Sequence, residues 1–457
     1  MPSSLPGFNV VEFGAIGDGV TLDTVAINEA IVACHRHGGG TVFVPAGHYL
    51  VGTLELLSNV TLHLEAGSIL VGSPNLADYR VLPMTSEGRN TALIIALSAR
   101  NIAITGRGVI DGNADAFAWY GQADLSRDFA AACTRQGEAY FEVNDRADDG
   151  PVQHKPRPGI LILLHDCRDI LVSQIKIVEA PNWCLHLSCC EDALLTGLEI
   201  KSSLLMPNSD GIDVSLSRNV RISDCHIEAG DDGIAFSPCA DGFGSGIAEN
   251  ITVENCILSS RSAAIRIGWG EHSFRNLLFS NIIIRNSNRG IGLFVRGSES
   301  IENVIFSNIV IETRFYQGKW WGKAEPIHLS TDGPGGRIRN ITFSHVMIEA
   351  EHGIVLSAAE KGSIENITFD DVRMAIKPGP LQESFGGNFD LRPVADETKR
   401  VFSHDIPALY ARGVKSLTLR HLAVEWQTPL PAFFRQALEI EESDDVSIED
   451  FRGTPPL

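Results

Sequence analysis

Three aspartates stand close together in two short segments of similar pattern. Asn208-Ser209-Asp210-Gly211-Ile212-Asp213 and Gly230-Asp231-Asp232-Gly233-Ile234 share Asp-Gly-Ile. If the chain between them makes one structural repeat, Asp210 and Asp232 stack face to face. Asp231, directly before Asp232, then points a different way at the turn into the strand. Stacked carboxylates repel one another, and chemistry is a common reason for a fold to keep them. Two of them at one strand spacing hold a water between them as a shared base. A third acid, its pKa raised by negative neighbours, is the candidate proton donor.

Calcium is the competing use for carboxylates at this density. No D-x-D-x-D-G loop is present, and the acids fall on strands, so acid/base chemistry ranks above metal binding. An acid and a water-holding base on opposite sides of a glycosidic bond make up the inverting route of sugar hydrolysis.

The elements that must position these acids are written as a repeat. Six segments align on Asn219, Asn250, Asn276, Asn303, Asn340 and Asn366. Three residues on come Ile222, Val253, Phe279, Phe306, Phe343 and Phe369; five on come Asp224, Asn255, Asn281, Asn308, His345 and Asp371. Each offset keeps its chemical character, which predicts an all-β, single-stranded parallel β-helix with one coil per repeat. The asparagines are read as structural, bonding along the stack and satisfying turns. Asn59 to Leu64 and Asn101 to Gly106 read as earlier coils, and Leu417 to Leu419 and Val446 to Ile448 as late ones. Apolar spacing from Asp23 to His35 predicts a helix that closes the N-terminal end, within a cap of about residues 1–50. Two long interruptions, about 113–157 and 377–404, are expected to shape a binding site. No stretch has the composition of a linker, so residues 1–457 are expected to form one domain.

The 457-residue chain carries a net charge of −20 and no basic cluster, which argues against nucleic acid and anionic membranes as partners. No apolar run is long enough to span a bilayer. Met1 to Gly7 lacks a basic and then apolar leader, and the nine cysteines include no matched C-x-x-C pairs. Both point to a cytoplasmic protein with reduced thiols.

Each coil also carries a short strand of the pattern small-Ile-x-aliphatic. Strand alternation sends its Ile or Leu inward and the neighbours outward. One outward column then reads Trp183, Asp210, Asp232, Ala263, Arg289, Glu325, His352, and the other His186, Asp213, Ala235, Arg266, Gly292, His328, Val355. Aromatic, acidic, basic and imidazole groups in line describe a groove for an extended polar ligand. Trp183, His186, Asp213, Arg266, Arg289, Glu325 and His328 are therefore candidate ligand contacts, with Arg296 beside them. Trp320 and Trp321 lie on the Gly-flanked loop Gln317 to Lys323, and one of the two is expected to stack on a sugar ring, the other to pack against the wall.

These motifs resemble glycoside hydrolase family 28, the polygalacturonase family. Asn208-Ser209-Asp210 resembles its N-T-D motif, Gly230-Asp231-Asp232 its G-D-D motif, and Phe8 to Gly19 the start of many pectin-acting β-helix enzymes. The resemblance implies a right-handed helix and inverting hydrolysis of an oligosaccharide of pectin type without metal or organic cofactor. It makes Asp231 the general acid, with Asp210 and Asp232 activating water. Two motifs depart. Ser262-Ala263-Ala264 stands where the family carries G-H-G, and Gly292-Leu293-Phe294 where it carries R-I-K, so the usual grip on a galacturonate carboxylate is missing. Arg266 and Arg289 either replace that grip or neutralise the aspartates. A β-helix lyase or epimerase, or a non-catalytic carbohydrate-binding β-helix, are the alternatives. The long inserts suggest exo action.

Overall fold

The recurring asparagines sit where the backbone turns left-handed. In the computed structural model of the chain, Asn219, Asn250, Asn276, Asn303, Asn340 and Asn366 all have φ between 55° and 59°. Asn tolerates this region better than other residues with a side chain because its short amide bonds locally. Here the amides also bond along the stack: each Nδ2 donates to the Oδ1 one coil earlier, at 3.2 Å for Asn276 to Asn250, 3.1 Å for Asn303 to Asn276 and 2.9 Å for Asn340 to Asn303. A second ladder runs through Asn255, Asn281 and Asn308. Two left-handed residues five apart bend the strand Ser273–Ser287 around a corner of the coil.

The structure describes residues 7–124, 133–146, 148–237, 246–270, 272–392 and 400–456. Residues 1–6 of the expected cap and parts of both expected inserts lie outside them. The result is a right-handed parallel β-helix, whose handedness follows the rule for parallel crossovers. Among the described residues one sheet has 22 strands and another 13. The 13-stranded sheet runs from Leu54–Glu55 to Leu438–Glu441, and Asp210, Asp231 and Asp232 lie in the turns just before its strands Ile212–Ser215 and Ile234–Phe236, not on the strands as the sequence pattern suggested. Inside, Phe279, Phe306, Phe343 and Phe369 stack with ring centroids 4.7, 4.9 and 4.9 Å apart. Offset stacking of this kind adds about 1 kcal/mol per pair beyond burial. One apolar cluster follows the axis from Val10 to Phe434.

The N-terminal helix spans Thr24–Arg36 and buries Ile27, Ala30, Ile31 and Cys34 against the first coils, the i, i+3, i+4, i+7 face of an amphipathic helix. Asp23 precedes it, but its carboxylate accepts from the N–H groups of Ile16 and Gly17 instead of capping the helix. No helix among the described residues is long and apolar enough to cross a membrane.

The first insert contributes the helix Glu138–Asn144, the second the helix Gln382–Phe385 and the hairpin Asn388–Asp390 with Val401–Ser403. They meet over the 13-stranded sheet: Tyr140 packs edge-on against Phe385 at 5.6 Å, and Arg135 N–H donates to Asn388 Oδ1 at 2.8 Å. Both hold the 317–323 loop, through Trp320 Nε1 to Asp149 O at 3.0 Å and Arg392 to Trp320 O at 3.1 Å.

Candidate active site

Two glycines bring the acids together. A Cβ at Gly211 would stand 2.4 Å from Gly233 O, and one at Gly233 would stand 2.6 Å from Ala264 O. Only glycine lets successive coils approach this closely directly after each acid. Backbone bonds fix the register: Cys184 N–H to Asp210 O, Gly211 N–H to Asp232 O and Gly233 N–H to Ala263 O, each 2.9 Å. Ser209 ties the two acidic turns, accepting from Gly230 N–H at 3.1 Å and donating to Met206 O at 2.8 Å.

Asp210, Asp231 and Asp232 are 3 %, 5 % and 4 % exposed, and one carboxylate oxygen of each lies within 4.8 Å of the others. They form the floor of a cavity with Arg266. Trp183, Trp269, Trp321 and Phe294 supply apolar wall, and Glu87 stands at the rim.

The three acids are held differently. Asp232 has both oxygens engaged, one by Ala263 N–H at 3.0 Å and the other by Arg266 Nε. Asp231 accepts from Asn208 N–H at 3.1 Å, and Arg157 in turn donates to Asn208 Oδ1 at 3.1 Å. Asp210 keeps a buried oxygen with no partner among the described residues. Burial, then Asp213, Asp231 and Asp232, push the Asp210 carboxyl well above the usual range, with Arg266 opposing. The upward push on Asp210 thus falls on an acid with an unsatisfied oxygen among the described residues. Burial works against the Arg266 charge, but Asp232, Asp210 and Asp213 outweigh it and raise its pKa. The three carboxylates have the spacing to bind a divalent cation, which would have to displace Arg266 from Asp232.

The remaining candidates divide. Trp183 lines the cavity under Arg89, whose guanidinium lies 4.3 Å from its ring centroid. Trp321 also lines it, edge-on to Trp269 at 5.2 Å. Arg289 reaches the lining although it is almost wholly buried, and pairs with Glu325 at 3.4 Å. Arg296 stands behind the wall, 4.3 Å over Trp269.

Arg296 is thus outside the cavity lining, and so are five further candidates. Trp320 is fully buried, clamped by the inserts. Glu325 is buried, accepting from Lys323 N–H at 2.6 Å. His186 is buried with Nε2 2.9 Å from Ser215 Oγ, and burial followed by His165 and Arg89 takes its pKa down to about 3. His328 is buried edge-on to Phe294 at 5.1 Å, and burial followed by Arg289 pushes its pKa well down. Asp213 is buried beneath Arg266. The shared reason is that a side chain facing out of a coil is not exposed where something covers it. The second insert covers the later coils, and long side chains cover the earlier ones.

Trp269, Phe294 and Glu87 were not picked out from the sequence. Trp269 follows the strand Ala263–Gly268 by one residue, and an aromatic at the end of an acid-flanking strand was the available signal. Glu87 sits at the tip of the hairpin between Val81–Ser86 and Arg89–Leu97, which no repeat pattern marks.

Residues 34–382 match the sequence profile of Glycosyl hydrolases family 28. The chain belongs to this family. It is 29 % identical over 304 residues to a "Probable polygalacturonase" of Vitis vinifera, covering 62 % of this chain and 56 % of that one. It is 29 % identical over 253 residues to an "Exo-poly-alpha-D-galacturonosidase" of Dickeya chrysanthemi, covering 50 % and 41 %. The chain thus spans about half the length of these curated relatives. The solved Family 28 exopolygalacturonase of Yersinia enterocolitica shares the fold, with a TM-score of 0.62 and 18 % identity over 97 % of this chain and 78 % of that one. In this family 28 chain, Ala263 and Phe294 occupy cavity wall where the resemblance places basic residues, and among the described residues Arg266 and Arg289 are the cations that line the cavity.

Proposed function

We propose that this chain hydrolyses galacturonate-containing oligosaccharides of pectin type, with inversion at the anomeric carbon and release from a chain end. The observation that carries the reading is the convergence of three buried carboxylates, one locked by an arginine, one held by a backbone N–H and one with an unsatisfied oxygen, at the floor of an aromatic-walled cavity. The polygalacturonase names of the relatives support the substrate class.

In the proposed reaction, water held by Asp210 and Asp232 attacks the anomeric carbon. The bond from that carbon to the leaving oxygen breaks, Asp231 gives a proton to that oxygen, and the water proton passes to the Asp210–Asp232 pair. The resting proton belongs on Asp210, where burial and its neighbours favour it. With oxygens within 4.8 Å of one another, a single bridging water can relay it to Asp231 once substrate is seated. Asp210 then regains a carboxylate of raised basicity beside the water.

This spacing is shorter than the about 6.5–9.5 Å common between inverting carboxylates. Retention needs a carboxylate free to act as nucleophile. Asp232 is tied at both oxygens, Asp231 is held by Asn208, and Asp210 is pushed toward its neutral form. Attack by water is what that arrangement favours. The exo reading rests on the buried Glu325, His328 and His352, which leave the outward column covered beyond Arg289.

The test is hydrolysis of a galacturonate polymer and its short oligomers, followed by NMR and mass spectrometry. A first-formed product of opposite anomeric configuration, released as a single small sugar, is expected. Retained configuration removes the inverting mechanism, and mixed oligomers remove exo action. An unsaturated product absorbing in the ultraviolet replaces hydrolysis with elimination.

A further inference from the structure

Asp213, read from the sequence as a ligand contact, is fully buried and absent from the cavity lining. One of its oxygens accepts from Ser237 Oγ at 2.8 Å, and the other is buried without a partner among the described residues. Ser237 Oγ in turn accepts from Arg266 Nη2 at 2.9 Å. Arg266 gives its Nε to Asp232 and its Nη1 to Gly268 O at 2.8 Å, so each guanidinium nitrogen has an acceptor. The register explains the arrangement. Asp213, Ala235 and Arg266 occupy one outward column on three successive rungs. The middle residue is only a methyl group, which leaves room for the long Arg266 side chain beside Asp213.

A buried carboxylate with one hydrogen bond is a poor device for stability, because an unsatisfied ionised oxygen away from water is costly. Burial pushes the Asp213 carboxyl up to about 7, with Arg266 and Ser237 holding it down and Asp232 adding to the rise. The charged or titratable groups around it are Asp210 on its own segment, His186 and Cys184 on the preceding rung, Asp232 and Arg266 on the following ones, and Arg89 from the hairpin over Trp183. Arg266 is the cation joined to it through a hydroxyl.

We infer that Asp213 is a positioning residue: through Ser237 it holds the Arg266 guanidinium against Asp232, and its negative charge strengthens the grip of Asp210 on its proton. The inference rests on the hydrolytic reading of the cavity. It adds a second layer to the site, in which a carboxylate that never touches substrate tunes two that do.

The test uses Asp213→Asn and Ser237→Ala in the full chain, with circular dichroism to confirm folding. Asp213→Asn keeps shape and an acceptor for Ser237 but removes the charge. Removing a like charge makes Asp210 ionise more readily, and Asp210 holds the proton the reaction uses, so the alkaline limb of the kcat profile moves to lower pH, by about one unit, with kcat down about tenfold. Ser237→Ala cuts the link and lowers kcat several-fold with KM little changed. A wild-type kcat and an unmoved limb in Asp213→Asn, or a wild-type kcat in Ser237→Ala, overturns the inference. A purely structural Asp213 would lower the melting temperature and leave the limb in place.

A substrate-free measurement separates this from the hydrolytic reading. The folded Asp213 carboxyl ionises near 7, above the ordinary value of about 3.9. Wild-type stability therefore loses ground as pH rises between those values, and Asn does not share the loss. The melting temperature of Asp213→Asn relative to wild type is expected to climb from pH 4 to pH 7, and a flat difference overturns the charge assignment. A wild-type protein inert on every oligosaccharide defeats the hydrolytic reading and leaves this measurement standing.

Discussion

Arg266, one rung beyond Asp232, donates Nε to the Asp232 carboxylate inside the cavity wall, the two side chains 12 % and 5 % exposed. The pair answers the question the sequence left open for this arginine: it neutralises an aspartate while still lining the cavity. A charge-assisted bond at this depth fixes the direction of the Asp232 carboxylate.

Arg266→Gln tests that role. The arginine charge holds the Asp210 proton affinity down against burial and three acids. Without it the Asp210 carboxyl rises further, and the alkaline limb of the kcat profile moves to higher pH by about one unit. This is opposite in sign to the shift expected of Asp213→Asn. Breaking a buried pair by removing one partner also costs about 3–5 kcal/mol, so the variant should melt earlier. An unshifted limb would detach Arg266 from the acid cluster.

Asp231→Asn and Asp210→Asn each remove a group assigned a proton or a water. Loss of a general acid or base typically costs 10²–10⁴-fold, so both are expected to fall by about that range in kcat. Neither side chain holds the coil together, and far-ultraviolet circular dichroism should be unchanged. Turnover within tenfold of wild type in either variant would withdraw its role.

The coil was readable because each position answers to one local rule. A left-handed residue every turn selects Asn or Asp, and register then stacks Phe279 on Phe306 on Phe343. The outward columns followed from the same register, and His186, Asp213, Ala235, Arg266, Gly292, His328 and Val355 do align. What covers those columns obeys no period. Whether His328 or Glu325 meets solvent depends on an insert tens of residues away, and nothing in its own coil records that. Arg266 points back toward Asp213 because Ala235 leaves space, a relation visible only once three rungs are read as one column.

The adjacent tryptophans should respond oppositely. Trp321 faces the cavity and Trp320 is fully enclosed by the inserts. Trp321→Ala is expected to raise KM about tenfold with a small change in melting temperature, as loss of one stacking face on a sugar would do. Trp320→Ala opens a core cavity and should cost about 3–5 kcal/mol. Steady-state kinetics and thermal melts on both variants check this, and a Trp321→Ala protein with unaltered KM would remove that ring from the substrate path.

Asn303 tests the ladder that sets the register. Its φ is 56°, its amide donates to Asn276 Oδ1 at 3.1 Å, and its Oδ1 accepts from Asn340 at 2.9 Å. Asn303→Gly keeps the left-handed backbone at no steric cost but loses both amide bonds, for about 1 kcal/mol given their exposure to water. Asn303→Ala loses the same bonds and adds about 1–2 kcal/mol for a Cβ in the left-handed region. The Ala variant should therefore be the less stable by denaturant titration, although Gly is ordinarily the worse residue within strands. Because the position lies on the coil corner away from the acids, kcat at low temperature should stay at the wild-type value in both. If Gly proved the more destabilising of the two, backbone handedness would not be what selects asparagine here, and the amide ladder alone would have to account for the repeat.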